Sequence, residues 1–129
     1  MTESEIITAL NRWTESLNNK DFNTFYEIEK ESMGYGWRGS TFRDQPLDRE
    51  KKKAAIMGFL DSMKKYICRF EPEKINVIDN TALVCGSYIE DVTKQDNSRE
   101  HNNVRTSMTW MKRKGQWMMM LYHRDTQFT

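Results

Sequence analysis

Apolar residues return at helical intervals through the first half of the chain and alternate with polar ones through the second. Thr2 and Glu5 stand at capping-box spacing, and Ile6, Leu10, Trp13 and Leu17 then recur on one side, which predicts an amphipathic helix over about residues 4 to 18. The polar run "NNKD" ends it. Asp21 suits the cap of a short second helix with Phe22, Phe25 and Ile28 on one face, running out near "EKES". In "MGYGWRGSTF", Tyr35, Trp37 and Phe42 favour extended structure while Gly34, Gly36 and Gly39 allow bends, predicting a short strand and a loop. Beyond Pro46, Asp48 caps a third helix through about Tyr66, with Ile56, Phe59, Leu60 and Met63 inward and the basic runs "REKKK" and "KK" on its solvated side.

The period then changes. "YICRFEPEKINVID", "TALVCGSYIEDVTK", "NNVRTSMTWMKR" and "QWMMMLYHRDTQF" read as long strands joined by Asp79-Asn80, the polar loop "QDNSREHNN" and Lys114-Gly115. Helices first and an antiparallel meander last is the α+β order, in which a curved sheet buries one face against helices. With Lys114-Gly115 as a two-residue turn, simple alternation pairs Thr109 with Met120, Ser107 with Tyr122 and Arg105 with Arg124. One face then carries Thr106, Met108, Trp110 and Lys112 with Trp117, Met119, Leu121 and His123. The other carries Arg105, Ser107, Thr109 and Met111 with Met118, Met120, Tyr122 and Arg124. Both are partly apolar, yet the helices suffice to cover one, so the second face is expected to meet another subunit.

Composition narrows the function classes. At 129 residues the chain reads as a single domain over residues 1–129. Twenty basic and nineteen acidic residues give a formal charge of +1, so no global field recruits nucleic acid or an anionic membrane. No apolar run approaches the roughly 20 residues of a membrane span, and "MTESEIITAL" lacks the pattern of a signal peptide, so the expected location is cytoplasmic. Cys68 and Cys85 are isolated, which favours reduced thiols over a disulfide framework or zinc site. No metal signature, phosphate-cradling glycine loop or nucleophile-base motif is present, so no cofactor is expected.

The informative charges are two arginines. Paired across neighbouring strands, Arg105 and Arg124 repel unless a carboxylate or an anionic ligand lies between them. In "ALVCGSYIED", alternation puts Val84, Gly86, Tyr88 and Glu90 on one side of the adjoining strand, so Glu90 is the candidate. Two readings stand: a convergent site of tyrosine, glutamate and two arginines, or a structural ion-pair network.

The element order, with "TALVCGSYIE", "VRTSMTWMKRKGQW" and "LYHRD" in that spacing, resembles the nuclear transport factor two-like superfamily, nearest its SnoaL-like domains and the association domain of calcium/calmodulin-dependent protein kinase. The resemblance covers nearly the whole chain. It implies a cone, with three helices closing a strongly curved antiparallel sheet around a cavity, commonly as a dimer through the outer sheet face. It further implies that positions matching Arg105, Ser107, Tyr122 and Arg124 face the cavity. The face with Met108, Trp110, Trp117, Met119 and Leu121 then becomes the homodimer interface, with His123 on it and His101 in a loop. No cavity histidine or isolated aspartate matches those of catalytic members.

Binding and catalytic proteins share such folds, so three functions are open. The first is a small-molecule domain with aromatic walls from Trp13, Tyr26, Trp37 and Phe59 and a polar end of Tyr88, Glu90, Arg105, Ser107, Tyr122 and Arg124, suited to an acidic ligand. The second is an isomerase, dehydratase or cyclase using Glu90 as base with Tyr88 or Tyr122 stabilising a developing enolate, which needs Glu90 free of its arginines. The third is a ligand-free oligomerisation module, for which a Met- and Trp-rich outer face argues.

Overall fold

The computed structural model describes residues 2–35, 42–43 and 48–124; Trp37, Gly36, Gly39 and Pro46 lie outside them. The elements run α1 (Thr2–Asn18), α2 (Phe22–Glu29), β1 (Met33–Tyr35), β2 (Phe42–Arg43), α3 (Arg49–Asp61), β3 (Lys65–Ile78), β4 (Thr81–Thr93), β5 (Arg99–Arg113) and β6 (Gln116–Arg124). The sheet order is β2-β1-β6-β5-β4-β3. Its strands pair antiparallel except β1 with β6. The α+β cone expected from the sequence is therefore the fold.

Local chemistry sets the boundaries. The Asp21 carboxylate accepts from the Thr24 amide and that of Asp48 from the Lys51 amide, each closing a helix N-terminus as their positions predict. Glu5 instead accepts from Trp117 Nε1 at 3.1 Å and Lys112 Nζ at 3.5 Å, tying the start of α1 to the β5–β6 hairpin. Helix α3 stops at Asp61, five residues before the expected end. Tyr66 belongs to β3, where Tyr66, Cys68 and Phe70 alternate toward the core against β4. Strand β5 likewise starts at Arg99, so His101, expected in a loop, is paired with Asp91 in the sheet.

Ile6, Leu10, Trp13 and Leu17 of α1 are buried against Val84, Met108, Trp110 and Met119 of the sheet, forming one core. Asn18 closes its margin. Its amide donates to the Cys68 carbonyl at 2.9 Å and its carbonyl accepts from the Cys68 N–H at 2.7 Å, so a side chain occupies backbone groups on the edge strand β3 as another strand would.

Two irregularities bend the sheet. Between Pro72 and Lys74 the β3–β4 register shifts, opposite Gly86. A Cβ at Gly86 would lie 2.3 Å from the Glu71 carbonyl oxygen and 2.9 Å from the Phe70 ring, so only glycine lets the strands approach there. The second shift is on the hairpin. Lys114 and Gly115 have φ of 51° and 79°, the turn their sequence predicts, and Arg113 pairs with Gln116. Trp110 then pairs with Met119 but Thr109 with Leu121, leaving Met120 as the extra residue of a bulge.

Met120 overturns the simple register. Beyond it Ser107 faces His123, Met108 faces Tyr122 and Thr106 faces Arg124. Tyr122 and Arg124 thus share the inner face with Thr106, Met108 and Trp110. Met108, Trp110, Trp117 and Met119, expected on an outer interface, are in the core at 8% exposure or less. Of that set Leu121 alone faces outward.

Gly86→Ala should lower stability by at least about 2 kcal/mol, because its methyl overlaps backbone rather than a movable side chain. Urea unfolding measures it as a fall in midpoint at constant slope. A loss below about half that value would mean that β3 yields easily there.

Candidate functional site

Strand β4 points Tyr88 and Glu90 inward at the end of the sheet beside the C-terminus of α1. The Glu90 side chain is 3% exposed, so its charge needs compensation within the protein. Three neighbouring elements supply it. Tyr66 of β3 donates its hydroxyl to Oε2 at 2.6 Å, Asn102 of β5 donates Nδ2 to Oε1 at 3.1 Å, and Arg124 of β6 reaches Oε1 at 3.5 Å. Because the single Tyr66 hydroxyl proton goes to Glu90, the close Tyr66–Tyr88 contact has Tyr88 as donor, giving a chain Tyr88 to Tyr66 to Glu90.

Aromatic rings enclose these groups. The Arg124 guanidinium lies 5.2 Å from the Tyr88 ring centre, a cation–π distance. Trp13 stands 5.5 Å from Tyr88 and 5.8 Å from Tyr122, while Phe59 meets Tyr66 edge-on at 5.3 Å. The indole of Trp13 donates Nε1 to Glu29 Oε2 at 2.5 Å. Glu29 in turn holds the buried Lys52, whose Nζ is 3.4 Å from its carboxylate and 2.7 Å from its backbone carbonyl. One part-buried polar path therefore runs from α3 through α2 to α1, and tilted and edge-on ring contacts of Trp13 carry it on to the sheet. Among the described residues no three His, Cys, Asp or Glu side chains gather as a metal site would require.

Burial raises the pKa of Tyr66, Tyr88 and Tyr122 above the ordinary 10.0 and pushes the Cys68 thiol from 9.0 up to about 11. The tyrosines are accordingly neutral donors and the thiol is inert at neutral pH.

The expected site is assembled in part. Trp13, Tyr88, Glu90, Tyr122 and Arg124 converge, and Phe59 joins through Tyr66. Tyr26 does not: it stacks on Phe22 at 5.7 Å beneath the Arg49 guanidinium. Arg105 and Ser107 are exposed on the opposite face, opposite Ser87 and Cys85, because the Met120 bulge separates them from Tyr122 and Arg124. The two-arginine site is therefore a single Arg124–Glu90 pair. Sequence reasoning missed Tyr66, Asn102 and Glu29. Tyr66 alternates with Cys68 and Phe70, and Asn102 is directly across from Glu90, so a shorter third helix and a shorter polar loop would have exposed both.

Residues 2–128 match the family model described as calcium/calmodulin dependent protein kinase II association domain. No curated protein is similar enough in sequence to count as a match. Among solved structures, a nuclear transport factor 2-like superfamily protein from Salmonella enterica superposes with a TM-score of 0.77 at 17% identity, covering 98% of this chain and 91% of its own. The association domain of the Caenorhabditis elegans kinase gives 0.73 at 16% identity, covering 97% and 95%. A putative association domain of the same kind from Xanthomonas campestris gives 0.71 at 16% identity, covering 89% and 80%. At these identities the structures establish likeness of fold.

The raised pKa values predict alkaline behaviour. Between pH 9 and 11 the unfolded chain releases thiol and phenol protons that the folded chain retains, so stability is full below about pH 9 and falls as pH rises through 11. Near-ultraviolet titration should find three of the five tyrosines silent near pH 10 until the protein unfolds. Free titration of all five in folded protein would contradict the enclosed Tyr66–Tyr88–Tyr122 arrangement.

Proposed function

The chain belongs to the calcium/calmodulin-dependent protein kinase II association domain family, and from that premise we propose that it is a self-associating module joined through its outer sheet face. The observation that carries this is a row across three strands: Leu83 pairs with Thr109, and Thr109 with Leu121, with both leucines more than 40% exposed. Thr81, Met111 and Met118 form the adjoining row. A leucine costs free energy in water, and a sheet face that repeats it across strands matches a second copy by two-fold symmetry. These residues replace the Trp110-centred interface read from simple alternation. Leu83→Lys with Leu121→Lys should convert the assembly to monomer by light scattering while the thermal midpoint of the protomer holds. A wild type that is monomeric at micromolar concentration, or an assembly indifferent to both lysines, would refute the proposal.

The half-buried Arg124, beside the buried Glu90, favours a second reading, small-molecule binding at the Glu90 end. With Arg105 outside, one guanidinium faces one carboxylate, so an excess of positive charge no longer argues for an acid. What supports an acidic ligand is the 3.5 Å separation, longer than the 2.7–2.9 Å of strong charge-assisted bonds, which a ligand carboxylate could improve on. Calorimetry with matched acid and amide ligands tests it: the acid should bind about tenfold tighter or more, and equal affinities end the reading. The general-base alternative has less support, since Glu90 already accepts from Tyr66, Asn102 and Arg124 and a substrate proton must displace one of them.

A further inference from the structure

Apart from the Glu90 cluster, a cleft of about 360 Å³ lies where the C-terminal ends of α1 and α3 meet the first residues of β3. Leu17, Leu60, Met63 and Tyr66 line it, while Lys20 and Lys64 stand on its rim. No acidic side chain lines it. Its size is within the roughly 300–1,000 Å³ of small-molecule pockets. We propose that this cleft binds an amphipathic monocarboxylate, with the alkyl or aryl body against the helix ends and the carboxylate between the ammonium groups of Lys20 and Lys64.

The observation is independent of the association face. Lys20 pairs with Asp61 at 3.2 Å, but both side chains are more than half exposed, so that contact is weak and readily exchanged. Lys64 donates to the neutral Asn97 amide oxygen, which leaves its charge uncompensated by that contact. Lysines following a helix also complement its dipole, worth about 0.3–1 kcal/mol. That accounts for a lysine at each helix end, but not for the apolar hollow that lies between the two. Leu17 and Leu60 turn buried side chains to the hollow at 7% and 3% exposure, so an alkyl chain meets a surface already fixed by the core. A phosphate ester or a neutral lipid fits less well: the rim offers separated ammonium groups rather than a backbone-lined cradle, and the walls end in charge.

Octanoate, octanamide and octylamine serve as probes, measured by calorimetry on the whole protein. Octanoate should bind at least about tenfold tighter than the amide, and the amine should give no heat above dilution. Lys20→Glu with Lys64→Glu should remove the preference for the acid, whereas Lys114→Glu, in the β5–β6 turn at the far end of the sheet, should keep it. Met63→Trp, which fills the hollow without changing charge, gives the second test if the charge reversal weakens folding, and should abolish binding of acid and amide alike. Equal binding of acid and amide overturns the proposal. So does an acid preference that survives both the lysine reversal and Met63→Trp, which would locate the acid beside Arg124 instead.

Discussion

A carboxylate with 3% of its side chain exposed is the constraint to which three strands conform. Leaving Glu90 uncompensated would cost several kcal/mol, more than any surface contact here returns. Its partners come from β3, β5 and β6, one from each, and each arrives through a specific register. Asn102 is directly across the ladder from Glu90. Tyr66 reaches in diagonally from the strand on the other side. A slip of one residue in either pairing would turn the donor to solvent, so the polar cluster selects the same alignment as the apolar core.

Arg124 is the harder delivery. It is separated from Trp110 by a hairpin whose even alternation would turn it outward, and the bulge at Met120 reverses that phase. The run Met118–Met120 suits a bulge because each methionine is apolar and pliable enough to occupy either face. Two strands away in β4, Gly86 performs a comparable service, letting that strand press against the β3 kink at Pro72. Curvature and chemistry thus share their causes: the irregular residues that bend the sheet also decide which side chains it encloses.

That division explains what could be read from the sequence. The helix caps at Asp21 and Asp48, the inward row Val84, Gly86, Tyr88 and Glu90, and the Lys114-Gly115 turn follow from local rules, and the fold obeys them. Resemblance to the superfamily rightly brought Tyr122 and Arg124 inside. The resemblance, like alternation, also brought Arg105 and Ser107 inside, where the fold does not put them, because three consecutive methionines contain no phase information and the inserted residue leaves no polar signal. Tyr66 was hidden for a different reason: residues 62 to 66 satisfy a helical and an extended pattern alike, and pairing with β4 decided between them.

One consequence joins the two faces. Leu121 and Tyr122 are adjacent in β6 yet point to opposite sides, the leucine toward the proposed association surface and the tyrosine toward Trp13. Their assignment is set upstream by the same extra residue. A change that abolished the Met120 bulge would exchange them, placing a leucine against the polar cluster and a phenol in the Leu83–Thr109 row, so neither surface can be altered through this register without the other. Substitutions that keep the bulge are freer. Outward positions such as Leu83 touch no member of the Glu90 network, so assembly can change along β4 and β5 while the enclosed groups stay as they are. The coupling is therefore local to β6, and it makes the methionine run the segment on which both the enclosed cluster and the outer row depend.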